Sequence, residues 1–237
     1  MQNCHTSQYG SFVAKWIMEY FCDRVEAAMN SREIAFQFKI TLCGSSPKVW
    51  RRIVVPKTYS FFDLYTAIQD AMGWADSHLH GFYIAQKGTA RPIVIQMPDP
   101  EGDNAYGGHE TRDERNEKIA DYFGVLVKQC QYTYDFGDGW DHTVLFEREI
   151  PAASHEEYPQ CVAGENACPP EDSGGVGGYR ELQAIMKNKK HPEHAHMLEW
   201  LGLDDASEFD PTRFERDEVH FRDPVEWLKE YMDQLEM

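Results

Sequence analysis

Hydrophobic and polar positions alternate with two distinct periods along this chain, and the changes of period mark its elements. Phe12, Val13, Trp16, Ile17, Tyr20, Phe21 and Val25 recur at three-to-four spacing, which predicts an amphipathic helix over about residues 11–29. From Ile34 the period drops to two. Ile34, Phe36, Phe38, Ile40 and Leu42 alternate with polar or small residues, the pattern of a half-buried strand. Gly44-Ser45-Ser46-Pro47 turns the chain, and Val49 to Val55 reads as a strand paired with the first. Ser60 with Asp63 three residues later is a capping-box signature. The helix it starts carries a buried stripe of Leu64, Tyr65, Ile68 and Met72 and stops at Gly73. Phe82 with Ile84, and the run Pro92 to Met97, predict two further strands.

Residues 98–117 are aperiodic and rich in Gly, Asp and Glu, which predicts a mobile surface loop. A short helix is expected near Lys118–Phe123. Residues 151–178 form a second irregular stretch, rich in proline and ending in clustered glycines. Three helices are expected after it: Gly178–Asn188, Pro192–Leu201, and one beginning at Asp223-Pro224 with the stripe Val225, Leu228, Met232 and Leu235.

Between the two irregular stretches lies Tyr134-Asp135-Phe136-Gly137-Asp138-Gly139-Trp140-Asp141-His142. Alternating runs flank Gly-Asp-Gly, so a tight hairpin with an acidic tip is expected. With Gly137 to Gly139 as the loop, Phe136 faces Trp140 and Asp135 faces Asp141. Like charges directly opposite are destabilising. The arrangement calls for a cation, an arginine or a hydrogen-bonding ligand nearby, unless both carboxylates splay into solvent.

Composition narrows the possible functions. With 42% hydrophobic and 13% aromatic residues in 237, a real core is available. The net charge of −17, from 40 acidic and 23 basic side chains, repels nucleic-acid backbones and anionic membranes. The one compact basic group is Lys48, Arg51, Arg52 and Lys57. No apolar run is long enough to cross a bilayer. Lys15 and Glu19 interrupt the N-terminal apolar stretch, so a signal peptide is not expected and a cytoplasmic location is the default.

Six cysteines are scattered without a C-x-x-C pair, which favours reduced thiols, with Cys43 and Cys130 as core residues. Cys161 and Cys168 lie in the irregular stretch with six residues between them. They are either packed thiols, a disulfide, or two ligands of an irregular site. His78 and His80, two apart on an extended segment, point the same way and have chelating geometry; the alternative is a hydrogen-bonded structural pair. His142 sits beside the acidic tip. The signatures of serine hydrolases, P-loops, dinucleotide folds and zinc peptidases are missing.

Several blocks, in order, carry a family resemblance: Val49-Trp50-Arg51-Arg52-Ile53; Ala71-Met72-Gly73-Trp74 with Ser77-His78-Leu79-His80; the hairpin with Trp140 and His142; and Cys161, Gly164-Glu165, Ala167 to Asp172, Gly174-Gly175 and Tyr179. His191 to His194 and Phe209-Asp210-Pro211 follow. The chain resembles the plasmid pRiA4b ORF-3-like family from about Ile34 to Phe221. Ser173 stands where that family often has cysteine, so a three-cysteine site from this loop is not expected. The resemblance implies an α+β fold with a curled mixed β-sheet of the roll or β-grasp kind, packed helices and a C-terminal helical portion. It implies no reaction.

The expected organisation is an N-terminal helical extension (1–31), an α+β domain (32–222) and a C-terminal helix packed on it (223–237). The leading expectation is an accessory binding protein of plasmid or insertion-element origin. Its groove, between the hairpin and the Cys161–Asp172 loop, would hold an unidentified ligand or protein partner through Arg51, Arg52, Asp135, Asp138, Trp140, Glu171, Asp172 and Tyr179. A second expectation is a metal-dependent hydrolase. It would use His78, His80, Asp135, Asp138 and His142 around a divalent ion, with Glu171 as base; Cys161 and Cys168 are further candidate metal ligands. A third is a DNA-associated protein acting through Arg51 and Arg52.

Overall fold

The computed structural model describes residues 34–98, 110–152 and 157–235. The expected N-terminal helix lies outside them. Eight strands form one mixed sheet in the order β5-β4-β3-β6-β7-β1-β2-β8, not closed into a barrel. They are β1 (Ile34–Leu42), β2 (Trp50–Pro56), β3 (His80–Ile84), β4 (Ile93–Gln96), β5 (Glu110–Asp113), β6 (Gln129–Tyr134), β7 (Trp140–Pro151) and β8 (Gln160–Glu165). All neighbours are antiparallel except β4 and β5. Helices α1 (Phe61–Met72), α2 (Gly175–Lys187), α3 (His194–Leu201) and α4 (Pro224–Leu235) complete the α+β fold.

The period of two in β1 buries Phe36, Phe38, Ile40 and Leu42, which α1 covers together with β2. Phe38 meets Phe123 edge-on at 4.8 Å, and Phe61 does the same with Phe82 at 5.1 Å. Such pairs add roughly 0.5–1.5 kcal/mol each beyond burial. The reciprocal Ser60–Asp63 cap starts α1, and Gly73, at φ 87°, ends it in the left-handed conformation.

Two irregular stretches contain strands that periodicity missed. Glu110–Asp113 pairs parallel with β4, and Gln160–Glu165 pairs with β2 at the sheet edge. Edge strands exposed on one side carry little hydrophobic patterning, so alternation cannot reveal them. Trp50 is only partly covered: Lys39 lies 4.3 Å above its ring. Cys130 is buried as expected, whereas Cys43 is exposed just past the end of β1.

Candidate functional site

The hairpin has a different register from the one its glycines suggest. Tyr134 pairs with Trp140 and Thr133 with Asp141. The loop therefore spans five residues, and Asp135 does not face Asp141. Asp135 leaves the ladder at φ 55° and turns its own carboxylate onto the loop. Its Oδ1 accepts from the amides of Gly137 at 2.9 Å and Asp138 at 3.3 Å. This local side-chain turn starts two residues before Gly-Asp-Gly and absorbs the charge that was expected to collide. Asp141 instead accepts from the Thr133 hydroxyl at 2.6 Å and Gln131 at 3.0 Å, neutral donors rather than an arginine.

The hairpin tip and the 158–179 loop meet directly. The Gly174 amide donates to Asp138 Oδ2 at 3.0 Å. A Cβ on Gly175 would stand 2.2 Å from the Asp138 carbonyl oxygen, so only glycine permits this contact. The glycine run is thus a close-approach device. Deeper in, Glu171 accepts from the Tyr134 hydroxyl and, at 2.9 Å, from the Ala75 amide. Tyr134 also accepts from the Ser77 amide at 3.0 Å. The Trp74 indole donates to the Pro169 carbonyl at 2.9 Å, and the Asp135 amide to that of Leu79 at 2.9 Å. The segment between α1 and β3 is pinned from both sides.

That pinning delivers His78. Its Nε2 lies 3.0 Å from Asp172 Oδ1 and 3.7 Å from Asp135 Oδ2. The three ligand-type atoms all lie within 4.8 Å of one another. Asp135 and Asp172 both sit in the left-handed region, at φ 55° and 58°. Such backbone costs of order 1–3 kcal/mol per residue and persists where the surroundings enforce it.

The other expected ligands lie elsewhere. His80 does not join His78, because Asp76, at φ 69°, kinks the chain between α1 and β3. His80 stacks on Tyr65 at 3.4 Å and bonds Glu114 Oε2 at 2.7 Å, both partners buried. His142 is buried between Trp74 and Tyr132, where desolvation lowers its pKa to about 4 and keeps it neutral. Cys161 and Cys168 are reduced and flank Arg51; burial raises both thiols, Cys168 to about 12. Asp138 and Glu171 spend their oxygens on Gly174, Tyr134 and Ala75. Trp140 is wholly buried beside Trp74.

The arginines also have partners within the fold. Arg51, 3% exposed, donates to the carbonyls of Ala71 at 2.9 Å, Trp50 at 3.0 Å and Glu165 at 3.1 Å. Arg52 forks onto Glu147 at 2.7 and 2.9 Å. Glu114 and Arg222 are structural partners that the sequence did not reveal. Arg222 clamps Asp70 at 2.6 Å and Asp76 at 3.3 Å. Both lie in stretches without periodicity, and their partners are distant in sequence.

Comparison with known proteins agrees with this architecture. The crystal structure of a protein of unknown function, MM3350, from Methanosarcina mazei Go1 matches with a TM-score of 0.70 and 38% identity, covering 81% of this chain and 100% of that one. The uncharacterised protein y4hQ from Sinorhizobium fredii is 36% identical over 169 residues, 71% of this chain and 81% of its own length. The model of the plasmid pRiA4b ORF-3-like protein family matches residues 34–218. On the strength of that match, which spans all eight strands and the loop that meets the hairpin tip, the chain belongs to the plasmid pRiA4b ORF-3-like family.

Proposed function

We propose that this chain is an accessory binding protein whose ligand is a divalent metal ion held by His78, Asp135 and Asp172. The supporting observation is the convergence of one imidazole nitrogen and two carboxylate oxygens, from three separate segments, within 4.8 Å. An ion with bonds of about 2.1 Å places adjacent ligand atoms about 3.0–3.4 Å apart. The His78 distances of 3.0 and 3.7 Å to the two carboxylates are close to that spacing. One nitrogen and two oxygens suit zinc, manganese or ferrous iron better than calcium or magnesium, which favour all-oxygen shells. Three protein ligands leave further positions for water or for an oxygen of a bound partner molecule.

Binding is favoured over hydrolysis because Glu171, the expected base, has both oxygens engaged. The family description names a plasmid reading frame, which supports an accessory role on a mobile element. The buried Arg51 and the Glu147-paired Arg52 weigh against direct DNA binding.

The test is metal content and thermal melting with EDTA, then with added zinc, manganese or magnesium. An ion at about one hundred times its Kd adds about 2.7 kcal/mol. For a chain of this size that is a rise of roughly 5–10 °C. Asp172→Asn removes the rise. Metal-insensitive melting of the wild type overturns the reading.

A further inference from the structure

We infer that the cleft walled by Arg51, Tyr179 and Phe214 is a second binding site, separate from the His78 cluster, and that it takes a small monocarboxylate with an apolar body. The cleft has a volume of about 420 Å³ and lies between the C-terminal end of α1, the Ala167–Pro170 turn and the segment Leu201–Val219. Volumes of this order suit small-molecule ligands.

Arg51 forms part of its wall and is a buried cation. Its bonds go to three carbonyls, and among the described residues no carboxylate forms an ion pair with it. Phe214 covers its face at 4.1 Å, a contact that stabilises the charge without neutralising it. The thiols of Cys161 and Cys168 are the acidic groups that act on it, and burial keeps both protonated. Buried charges are ordinarily matched by a counter-charge.

Tyr179 lines the same cleft, and its hydroxyl is buried without a hydrogen-bond partner. Buried hydroxyls are ordinarily satisfied. Desolvation, Cys168 and Asp210 raise its pKa to about 12, so it remains a donor. A guanidinium and a phenol donor together match one carboxylate.

The rim defines the rest of the ligand. Five carboxylates line it: Asp70 pairs with Arg222, Glu218 with Arg213, Asp210 accepts from Thr212, Glu208 accepts from the amides of Asp204 and Asp205, and Glu215 stands beside them. They do not neutralise Arg51, but they repel a polyanion such as phosphate. Leu201, Leu203, Phe209 and Phe214 supply apolar walls.

The test is isothermal titration of the full chain, in EDTA, with phenylacetate, its neutral analogue phenylacetamide and inorganic phosphate. Phenylacetate is expected to bind, with the other two weaker by tenfold or more. Tyr179→Phe, which leaves the fold intact by circular dichroism, is expected to weaken phenylacetate tenfold or more, because a bond to a charged group is lost. Leu203→Trp, which fills the cleft, is expected to abolish binding. Absence of phenylacetate binding in the millimolar range, equal binding of phosphate, or unchanged affinity in both variants would overturn the inference.

Discussion

One loop supplies two regions of opposite electrostatic character. At the hairpin tip, residues 171–175 join Asp135, Asp138 and His78, and carboxylates crowd around a single half-buried imidazole, with Asp135 buried and Asp172 exposed to solvent. On the other side, Cys168 and Cys161 act on the buried guanidinium of Arg51, which lines one cleft with Tyr179. Each region has charge without a full counter-charge, but the energetic settings differ. Asp172 is exposed and its charge is screened, so the tip carries that carboxylate at little cost to stability. Buried charge is not screened, so Arg51 is locked to three carbonyls and its removal is expensive. Substitution at the proposed cation site is therefore separable from stability, and at Arg51 it is not.

The largest predicted effect breaks the buried side. Arg51→Met leaves the carbonyls of Ala71, Trp50 and Glu165 without this donor, and at about 1–3 kcal/mol for each group left unsatisfied, roughly 3–5 kcal/mol in all should be lost in chemical denaturation. Asp172→Asn, measured in EDTA, should stay within about 0.5 kcal/mol of wild type. Similar losses in the two variants would erase the contrast.

Acid should act next most strongly, and through burial. His142 is neutral in the fold, with its pKa depressed from 6.5 to about 4. The unfolded chain takes up a proton there as pH falls below about 6.5, while the folded chain does so only near 4. Stability is therefore complete above that window and falls through it by about 3 kcal/mol. His142→Phe should flatten this part of the stability–pH curve; a curve of unchanged slope would remove His142 from the account.

Glu171→Gln sharpens the comparison at the tip. Glu171 holds Tyr134 and Ala75, which position His78, so its loss should cost about 1–3 kcal/mol and also weaken cation binding. A variant equal to wild type in both measurements would show that the tether is idle. The smallest effect is expected at Asp141. With neutral donors from Thr133 and Gln131, Asp141→Asn retains an acceptor oxygen and should shift stability by less than about 1 kcal/mol.

Much of this architecture was legible in the sequence because local physics fixed it. The alternation in Ile34–Leu42, the Ser60–Asp63 cap and the Gly73 stop each depend on neighbours a few residues away, and each appears as expected. The meeting of hairpin and loop was legible in residue types, since both concentrate acids, aromatics and glycines. The register was not, because Asp135 captures the Gly137 and Asp138 amides and lengthens the loop. Nor was the separation of Arg51 and Tyr179 from the tip: the loop turns between Cys168 and Asp172, with Asp172 in the left-handed region, and the two ends face different surroundings. His80 was indistinguishable from His78 without Glu114, whose stretch has no period to place it.

The most direct test of the cation site is a titration of manganese, followed by electron paramagnetic resonance, into wild type, Asp172→Asn and Tyr179→Phe. One site is predicted in the wild type, weakened tenfold or more by Asp172→Asn and unchanged by Tyr179→Phe. Equal manganese binding in all three proteins, or none in the wild type, would contradict the assignment of His78, Asp135 and Asp172 as a metal site.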